Sequence, residues 1–233
     1  MTAPTLDAES LRAALRRYPE LSKLDHEVLE GLARGAVRQE VPRRRALFTR
    51  DQVGPGLFFM LSGEVKVSLI SPEGREQLLY LAEAGMMISE GVSLDGRPSR
   101  ASAFAVEESA LLCVPTACVE EATAAAGPLG LALMRLIAKR ADRWIDRCFD
   151  LSLRTVDQRL ARFLLELAPP ETDEGEYVVP RERDVATIAA MLGSVREEVT
   201  RAQRRLQEAG VIDVSRRQIK VIDRAALTDV LLD

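Results

Sequence analysis

The chain has 233 residues, 47% of them hydrophobic, and carries 32 Lys and Arg against 36 Asp and Glu, a formal net charge of -4. This length can bury one large core or two ordinary ones, and no apolar run reaches the roughly 18 to 20 residues that a membrane-spanning helix needs. Because the first residues also lack a basic patch followed by an apolar stretch, we expect a soluble, cytoplasmic protein without a membrane partner.

The N-terminal half predicts short helices followed by antiparallel strands. Residues 7–36 carry leucines at helical intervals and end on Gly35, which favours short amphipathic helices. From Val41 onwards, short apolar runs alternate with turn signals and predict a small barrel or roll, to which residues 102–115 add further strands. The turn signals are Gly54-Pro55-Gly56, Ser62-Gly63 and Pro72-Glu73-Gly74.

Residues 129–167 favour helix, because they include many strong helix formers and no proline. An apolar seam runs along this stretch through Leu133, Ile137, Trp144, Cys148 and Leu151. Such a seam needs a partner, either the chain's own barrel or the same helix of a second subunit. Although Arg140 interrupts the seam, we favour the second subunit and expect a homodimer formed through residues 129–152.

The C-terminal part predicts two helices separated by a short turn. The stretch "RERDVATIAAMLGS" favours a helix with Val185, Ile188, Ala189 and Leu192 facing inward and Gly193 as its stop. We expect Ser194 to cap the next helix, whose buried stripe is Val199, Ala202, Leu206 and Ala209. With "VIDVSRRQIKVID" as a two-stranded hairpin, the pattern is typical of a winged helix-turn-helix.

The second helix of this motif carries polar residues suited to reading DNA. Five of them lie off the buried stripe: Arg196, Glu197, Thr200, Arg201 and Arg204. Arginine fits guanine O6 and N7, and a carboxylate accepts from the cytosine amino group. Glu197 and Arg201 are one turn apart, so this pair is either a base-reading group or a salt bridge.

Local charge supports the same interpretation. Residues 181–224 hold 10 Lys or Arg against 7 Asp or Glu, an excess of +3 in an acidic chain. In and beside the predicted wing, Arg216, Arg217 and Lys220 are candidates for phosphate contacts, which position a protein without reading sequence.

The stretch 183–222 resembles the DNA-binding domain of the cyclic-AMP receptor protein and fumarate-nitrate reductase regulator (CRP/FNR) family. "LFFMLSGEVKV" and "PEGREQLL" look like the cyclic-nucleotide-binding-type roll of that family, and 129–150 looks like its dimerisation helix. Arg196, Glu197 and Arg201 fall on the positions that read a TGTGA half-site, while Thr200 is closer to the second branch of the family.

The resemblance implies an α+β fold: an N-terminal β-roll with helices over 1–128, a dimerisation helix over 129–152, and a winged helix-turn-helix over 153–233. It also implies a homodimer on a palindrome, with two recognition helices in successive major grooves about 34 Å apart. Activators of the family contact RNA polymerase, and the acidic loop "PETDEGEY" lies where they do so.

The effector-binding segment resembles the family pattern only in part. "ISEGVSLDGRPSRASAF" keeps Glu90 and Arg100 at the family spacing, but Ala101 stands where a hydroxyl follows the Arg, and Ser102 is displaced by one. Trp144 stands where the helix offers a hydroxyl to adenine, which disfavours cyclic AMP because buried polar groups left unpaired are costly. Haem, another nucleotide, an apolar ligand or no ligand stay open. The alternative roles are an ion pair for Glu90 and Arg100, and a core or dimer-seam position for Trp144.

The cysteines and the single histidine, His26, favour no catalytic or metal centre. Cys113, Cys118 and Cys148 are too scattered for a disulfide scaffold and lack zinc-binding spacing. No nucleophile elbow or Gly-rich phosphate loop accompanies His26. We therefore expect no enzymatic activity. The rival to a DNA-binding regulator is a nucleotide-binding module that acts on a protein partner.

Overall fold

The computed structural model contains α-helices and antiparallel β-sheets in two compact units. It describes residues 8–19, 21–88, 96–125, 127–167, 177–180, 184–215 and 218–232. The first unit is Met1–Arg75 with Leu79–Arg143, and the second is Glu76–Leu78 with Trp144–Asp233. The helices are α1 (Ala8–Leu15), α2 (His26–Gly35), α3 (Thr116–Ala125), α4 (Gly127–Leu153), α5 (Val156–Leu167), α6 (Val185–Leu192), α7 (Arg196–Glu208) and α8 (Arg224–Leu232). The strands are β1 (Val37–Val41), β2 (Ala46–Phe48), β3 (Gly56–Ser62), β4 (Val65–Ile70), β5 (Glu76–Ala82), β6 (Met87–Ile88), β7 (Ser102–Ala105), β8 (Ser109–Pro115), β9 (Tyr177–Pro180), β10 (Ile212–Val214) and β11 (Gln218–Val221).

The first unit is built around two four-stranded sheets, in the orders β1-β8-β3-β6 and β2-β7-β4-β5. One set of apolar side chains packs among the strands, with Phe58, Val65 and Leu111 at most 1% exposed. Gly63 joins β3 to β4 at φ +80, where a Cβ would lie 2.6 Å from the Glu108 carbonyl oxygen. Only glycine fits this turn without strain. The predicted antiparallel roll is confirmed.

The short helices cover one face of this roll. Leu15, Tyr18 and Leu29 are at most 1% exposed and pack in one core with Phe59 of β3, whose ring meets that of Tyr18 edge-on at 4.9 Å. Leu129, Leu133 and Leu136 of α4 belong to the same core. The prediction that Leu133 lies on the dimer seam is therefore wrong, because this side chain points into its own roll.

The second unit packs four helices, α5 to α8, and a small sheet around one core. The sheet order is β10-β11-β9, and Ile212 lies opposite Val221 in the hairpin register. Leu160 and Leu164 of α5 are fully buried against the helix-turn-helix and the last helix. The predicted winged helix-turn-helix is confirmed.

The predicted long helical stretch divides into α4 and α5 at residues 154–155. Thr155 caps the second helix reciprocally with Gln158: the Thr155 N–H donates to Gln158 Oε1 at 2.8 Å, and the Gln158 N–H donates to Thr155 Oγ1 at 3.3 Å. This capping box gives α5 a defined start without proline or glycine.

Candidate nucleic-acid interface

The turn between α6 and α7 is fixed by local hydrogen bonds. Asp184 caps α6 by accepting from the Thr187 N–H at 2.8 Å, and Gly193 closes it in the left-handed conformation at φ 61. The Ser194 N–H still donates to the Ala189 carbonyl at 2.9 Å. Ser194 thus belongs to the end of α6, and Val195 occupies the cap position of α7 without a side-chain bond. The predicted Ser194 cap is wrong for this reason.

Helix α7 separates a buried face from a charged one. Val199, Ala202 and Leu206 are at most 4% exposed, as the sequence predicts, and Gln203 is buried beside them. The predicted DNA-reading residues are all exposed: Arg196, Glu197, Thr200, Arg201 and Arg204. Ala209 is exposed too, since the helix ends at Glu208 and the chain turns at Gly210. The inclusion of Ala209 in the buried stripe was therefore wrong.

The exposed side chains form two ion pairs along the helix. Arg201 contacts Glu198, three residues earlier, and Arg204 Nε donates to Glu208 Oε1 at 2.7 Å. Glu197 forms no ion pair with any other described residue, so the anticipated Glu197–Arg201 bridge is replaced by Glu198. Sequence spacing did not distinguish these two carboxylates, because the i,i+3 and i,i+4 positions both lie within reach of an arginine.

Side chains of α5 form hydrogen bonds with both the α6–α7 turn and α7. Asp157 accepts from Arg205 Nε at 2.9 Å and from Nη2 at 2.8 Å, a bidentate pair. Arg159 Nη1 donates to the Leu192 carbonyl at 2.6 Å and to the Gly193 carbonyl at 3.3 Å. These carbonyls carry the negative end of the α6 dipole, which a guanidinium stabilises. Arg205 and Arg159 were not singled out from the sequence.

The wing contributes one described basic candidate. Lys220 is half-buried and lies opposite Asp213 in the β10–β11 register. Arg216 and Arg217 lie outside the described residues. The structure therefore places six of the eight predicted DNA-binding residues, five of them on α7.

Three of the four predicted effector residues, Arg100, Ser102 and Trp144, lie in the described part of the chain. Glu90 lies outside it. Arg100 is exposed in the first unit, whereas Ser102 is buried and its hydroxyl accepts from the Arg50 N–H at 2.9 Å. Trp144 is half-buried in the second unit.

Arg140 is a further polar residue, on the face of α4 that packs on the roll. Its Nη1 donates to the Tyr80 hydroxyl at 3.0 Å, its guanidinium stacks 4.6 Å from the centre of that ring, and Nη2 contacts the Met87 carbonyl. Arg140 faces the strands, so it does not interrupt the outward seam of α4. The β6 strand that it contacts ends at Ile88, immediately before the segment that carries Glu90.

Metal ligation, membrane insertion and a reactive Cys113 find little support in the part of the chain that the structure describes. Among the described residues no group of three or more His, Cys, Asp or Glu is placed to hold a metal ion. No helix in those same residues is long and apolar enough to span a bilayer. Burial raises the pKa of Cys113 to about 11, so its reactive thiolate is scarce near neutral pH.

Two family models match the chain over the regions just described. Residues 38–125 match a cyclic nucleotide-binding domain, and residues 158–230 match the Crp-like helix-turn-helix domain. The first covers the roll, and the second covers α7 and the wing. The chain is therefore a DNA-binding transcription regulator that carries a cyclic nucleotide-binding domain.

Known proteins share both regions. The chain is 27% identical over 190 residues to the CRP-like cAMP-activated global transcriptional regulator of Mycobacterium tuberculosis, with coverage of 81% of this chain and 85% of that protein. It is 28% identical over 196 residues to the cyclic AMP receptor protein of Thermus thermophilus, with coverage of 83% and 87%. The c-di-GMP responsive global regulator CLP of Xanthomonas campestris shares the fold, with a TM-score of 0.73 at 17% identity over 84% of this chain and 99% of that one.

This chain belongs to the CRP/FNR family of transcription regulators. The family resemblance and the fold class predicted from the sequence are both confirmed. Because the relatives are regulators, family membership also supports the expectation that the chain is not an enzyme.

Proposed function

We propose that the chain acts as a dimer that reads a TGTGA-like palindrome in double-stranded DNA through Arg196, Glu197 and Arg201. The observation that carries this proposal is the exposure of all three side chains on α7, whose opposite face is buried in the helix-turn-helix core. Glu197 has no ion pair with a described residue and is available to accept from a cytosine amino group. Arg201 exchanges Glu198 for a guanine edge on binding.

The remaining basic and hydroxyl groups position the protein on the phosphate backbone. Thr200 and Arg204 are exposed on the same helix, and Lys220 lies in the wing. Arg216 and Arg217 complete the proposed set from the sequence alone. Contacts of this kind add affinity for any DNA and make binding salt-dependent.

The long helix α4 supplies the proposed dimer interface. One of its faces packs on the roll, and an apolar stripe lies about 110° around the helix from that face. The stripe comprises Met134, Ile137, Ala141, Ile145 and Cys148, whose steps of three, four, four and three match a coiled-coil seam. Met134 is 61% exposed and Ile145 is 68% exposed in the single chain. A second copy would bury this stripe and give the two-fold axis that a palindrome requires.

In this proposal, each role is assigned to one of the domains predicted from the sequence. Residues 1–128 sense the effector, 129–152 dimerise and 153–233 bind DNA. Occupancy of the roll changes the DNA affinity of the dimer, and bound dimers contact RNA polymerase. Relatives are named for cyclic AMP and for c-di-GMP, so the fold is compatible with more than one nucleotide.

Effector binding is proposed at Glu90, Arg100, Ser102 and Trp144. The buried Ser102 hydroxyl already serves as an acceptor for the Arg50 N–H, so it retains its proton to donate to a ligand oxygen. Arg140, on the strand side of α4, adds a guanidinium near the end of β6. Native mass spectrometry and an absorption spectrum of the purified protein would distinguish a nucleotide from haem.

The base-reading role is tested with Arg201→Ala, and Arg205→Ala serves as the matched control. Both changes remove one guanidinium from α7, but Arg205 is paired with Asp157 at the flank facing α5. We expect Arg201→Ala to weaken binding to the palindrome by about 1 to 3 kcal/mol and to leave binding to random DNA nearly unchanged. Lys220→Ala should weaken both DNAs alike and flatten the salt dependence, whereas Arg205→Ala, which removes a guanidinium paired with Asp157, should leave the ratio of palindromic to random affinity unchanged.

Selection from a random DNA pool with the purified chain supplies the reference site for these measurements. Equal losses on both DNAs for Arg201→Ala would remove the base-reading role. A selection that enriches no palindrome would instead favour the rival function, a nucleotide-binding module that acts on a protein partner.

A further inference from the structure

Asp150, in the last turn of α4, is the single charged side chain that is buried among the residues the structure describes, at 6% exposure. A carboxylate removed from water destabilises a fold unless it is paired and hydrogen-bonded. Asp150 meets this requirement because arginines at the junction of two helices pair with it. The junction therefore depends on the charge of Asp150.

The partners of Asp150 come from both sides of the α4–α5 junction. Arg162 of α5 donates through Nη1 to the two carboxylate oxygens at 2.9 and 3.0 Å, and Arg154 contacts one of the same oxygens. Arg162 also donates to Glu166 at 2.7 Å, which fixes the direction of its guanidinium along α5. The end of α4 is thus joined to the middle of α5 through one buried carboxylate.

Helix α5 connects the α4–α5 junction to α7, the helix that carries the proposed DNA-reading residues. One turn before Arg162, Arg159 holds the carbonyls at the helix-turn-helix turn, and Asp157 holds Arg205 of α7. Leu160 and Leu164 of α5 are fully buried in the same core as α7. Helices α5 and α7 therefore share one core and direct side-chain bonds, so a change in the angle between the last turns of α4 and α5 would also turn α7.

Apolar packing at the junction is incomplete, although Leu151 contacts Gly193 of the α6–α7 turn. Leu151 is 39% exposed and Leu153 is 70% exposed, and only two residues separate α4 from α5. Surface ion pairs would allow such a short link to pivot, whereas a buried carboxylate that accepts from two arginines resists it, because breaking these bonds leaves its charge unpaired.

We propose that Asp150 is a positioning residue that sets the distance between the two recognition helices, and hence the half-site spacing that the dimer accepts. This inference rests on the proposed function, in which two copies meet along α4 and read a palindrome. In a two-fold dimer any change in the α4–α5 angle is applied to both copies, so a small pivot shifts the separation of the two helices twice.

The test compares full-length wild type with Asp150→Asn, and Asp146→Asn is the matched control. Asp146 lies one turn earlier on α4, is 65% exposed and is 3.9 Å from Arg162, so its substitution removes the same charge without opening the buried pair. Binding is measured on palindromes whose half-sites are moved apart or together in single base-pair steps, and on an isolated half-site.

We expect wild type and Asp146→Asn to favour one spacing sharply. Asp150→Asn should lower the ratio between the best and the neighbouring spacing by about fivefold or more, while half-site affinity stays unchanged. Arg162→Gln should have the same effect, and the double variant should add nothing further, because both residues belong to one pair. A merely structural role would lower all affinities together and leave the ratio intact.

Thermal unfolding of each variant identifies any that fails to fold, and Arg162→Gln then replaces Asp150→Asn in the comparison. If Asp150→Asn and Arg162→Gln both fold and both keep the wild-type spacing preference, this inference is refuted while the proposed function stands. A wild type that binds no palindrome would overturn the proposed function together with it.

Discussion

Replacing Ile145 by alanine tests whether the outward stripe of α4 is a subunit interface. Ile145 is 68% exposed in the single chain, and the substitution removes three carbons from its side chain. At about 0.8 kcal/mol per buried methylene, full burial of that exposed fraction contributes about 1.6 kcal/mol in each copy. Two copies give about 3 kcal/mol per dimer, which raises the dimer dissociation constant by roughly a hundredfold.

Leu153→Ala is a closely matched control. It also removes three carbons from a residue of α4, and Leu153 is 70% exposed, but its side chain lies about 120° around the helix from the stripe. Sedimentation equilibrium over a range of protein concentrations measures both dissociation constants. We expect only Ile145→Ala to shift the dimer to higher concentration. Equal shifts, or no shift for Ile145→Ala, would refute the assignment of the stripe.

Two further predictions concern single side chains. Cys148 is exposed within the stripe. If the two α4 helices run parallel and in register, mild oxidation of the dimer should form a disulfide between copies. Cys148→Ser should abolish the cross-linked band on a non-reducing gel. Glu198→Gln releases Arg201 from a pair that it otherwise exchanges for a guanine edge, and should raise the ratio of palindromic to random affinity by up to about fivefold, since exposed ion pairs contribute about 0 to 1 kcal/mol. Glu208→Gln, which releases Arg204 in the same way, should leave that ratio unchanged.

The elements and the buried faces followed from local patterns in the sequence. Apolar periodicity identified Val199, Ala202 and Leu206 as the inner face of α7, and glycine marked the end of α6. These features depend on neighbours within one or two turns, which a sequence displays directly. Turn signals between short apolar runs predicted the antiparallel roll, and the family resemblance identified it as a cyclic-nucleotide-binding type.

Features that depend on contacts between distant residues could not be predicted. Leu133 fits an outward seam by spacing, and only the packing of α4 on the roll shows that it points inward. Asp150 looks like one more charge on a helix until Arg162 of the next helix encloses it. Arg159 likewise gains its role from carbonyl groups 33 and 34 residues further along the chain.

The bonds from Arg159 to the Leu192 and Gly193 carbonyls mean that the turn is already shaped before any DNA arrives. A reading surface of this kind loses little conformational entropy when it docks. The heat capacity change of association should then reflect buried surface rather than coupled folding, and discrimination between sites should vary little over the temperatures at which the fold persists.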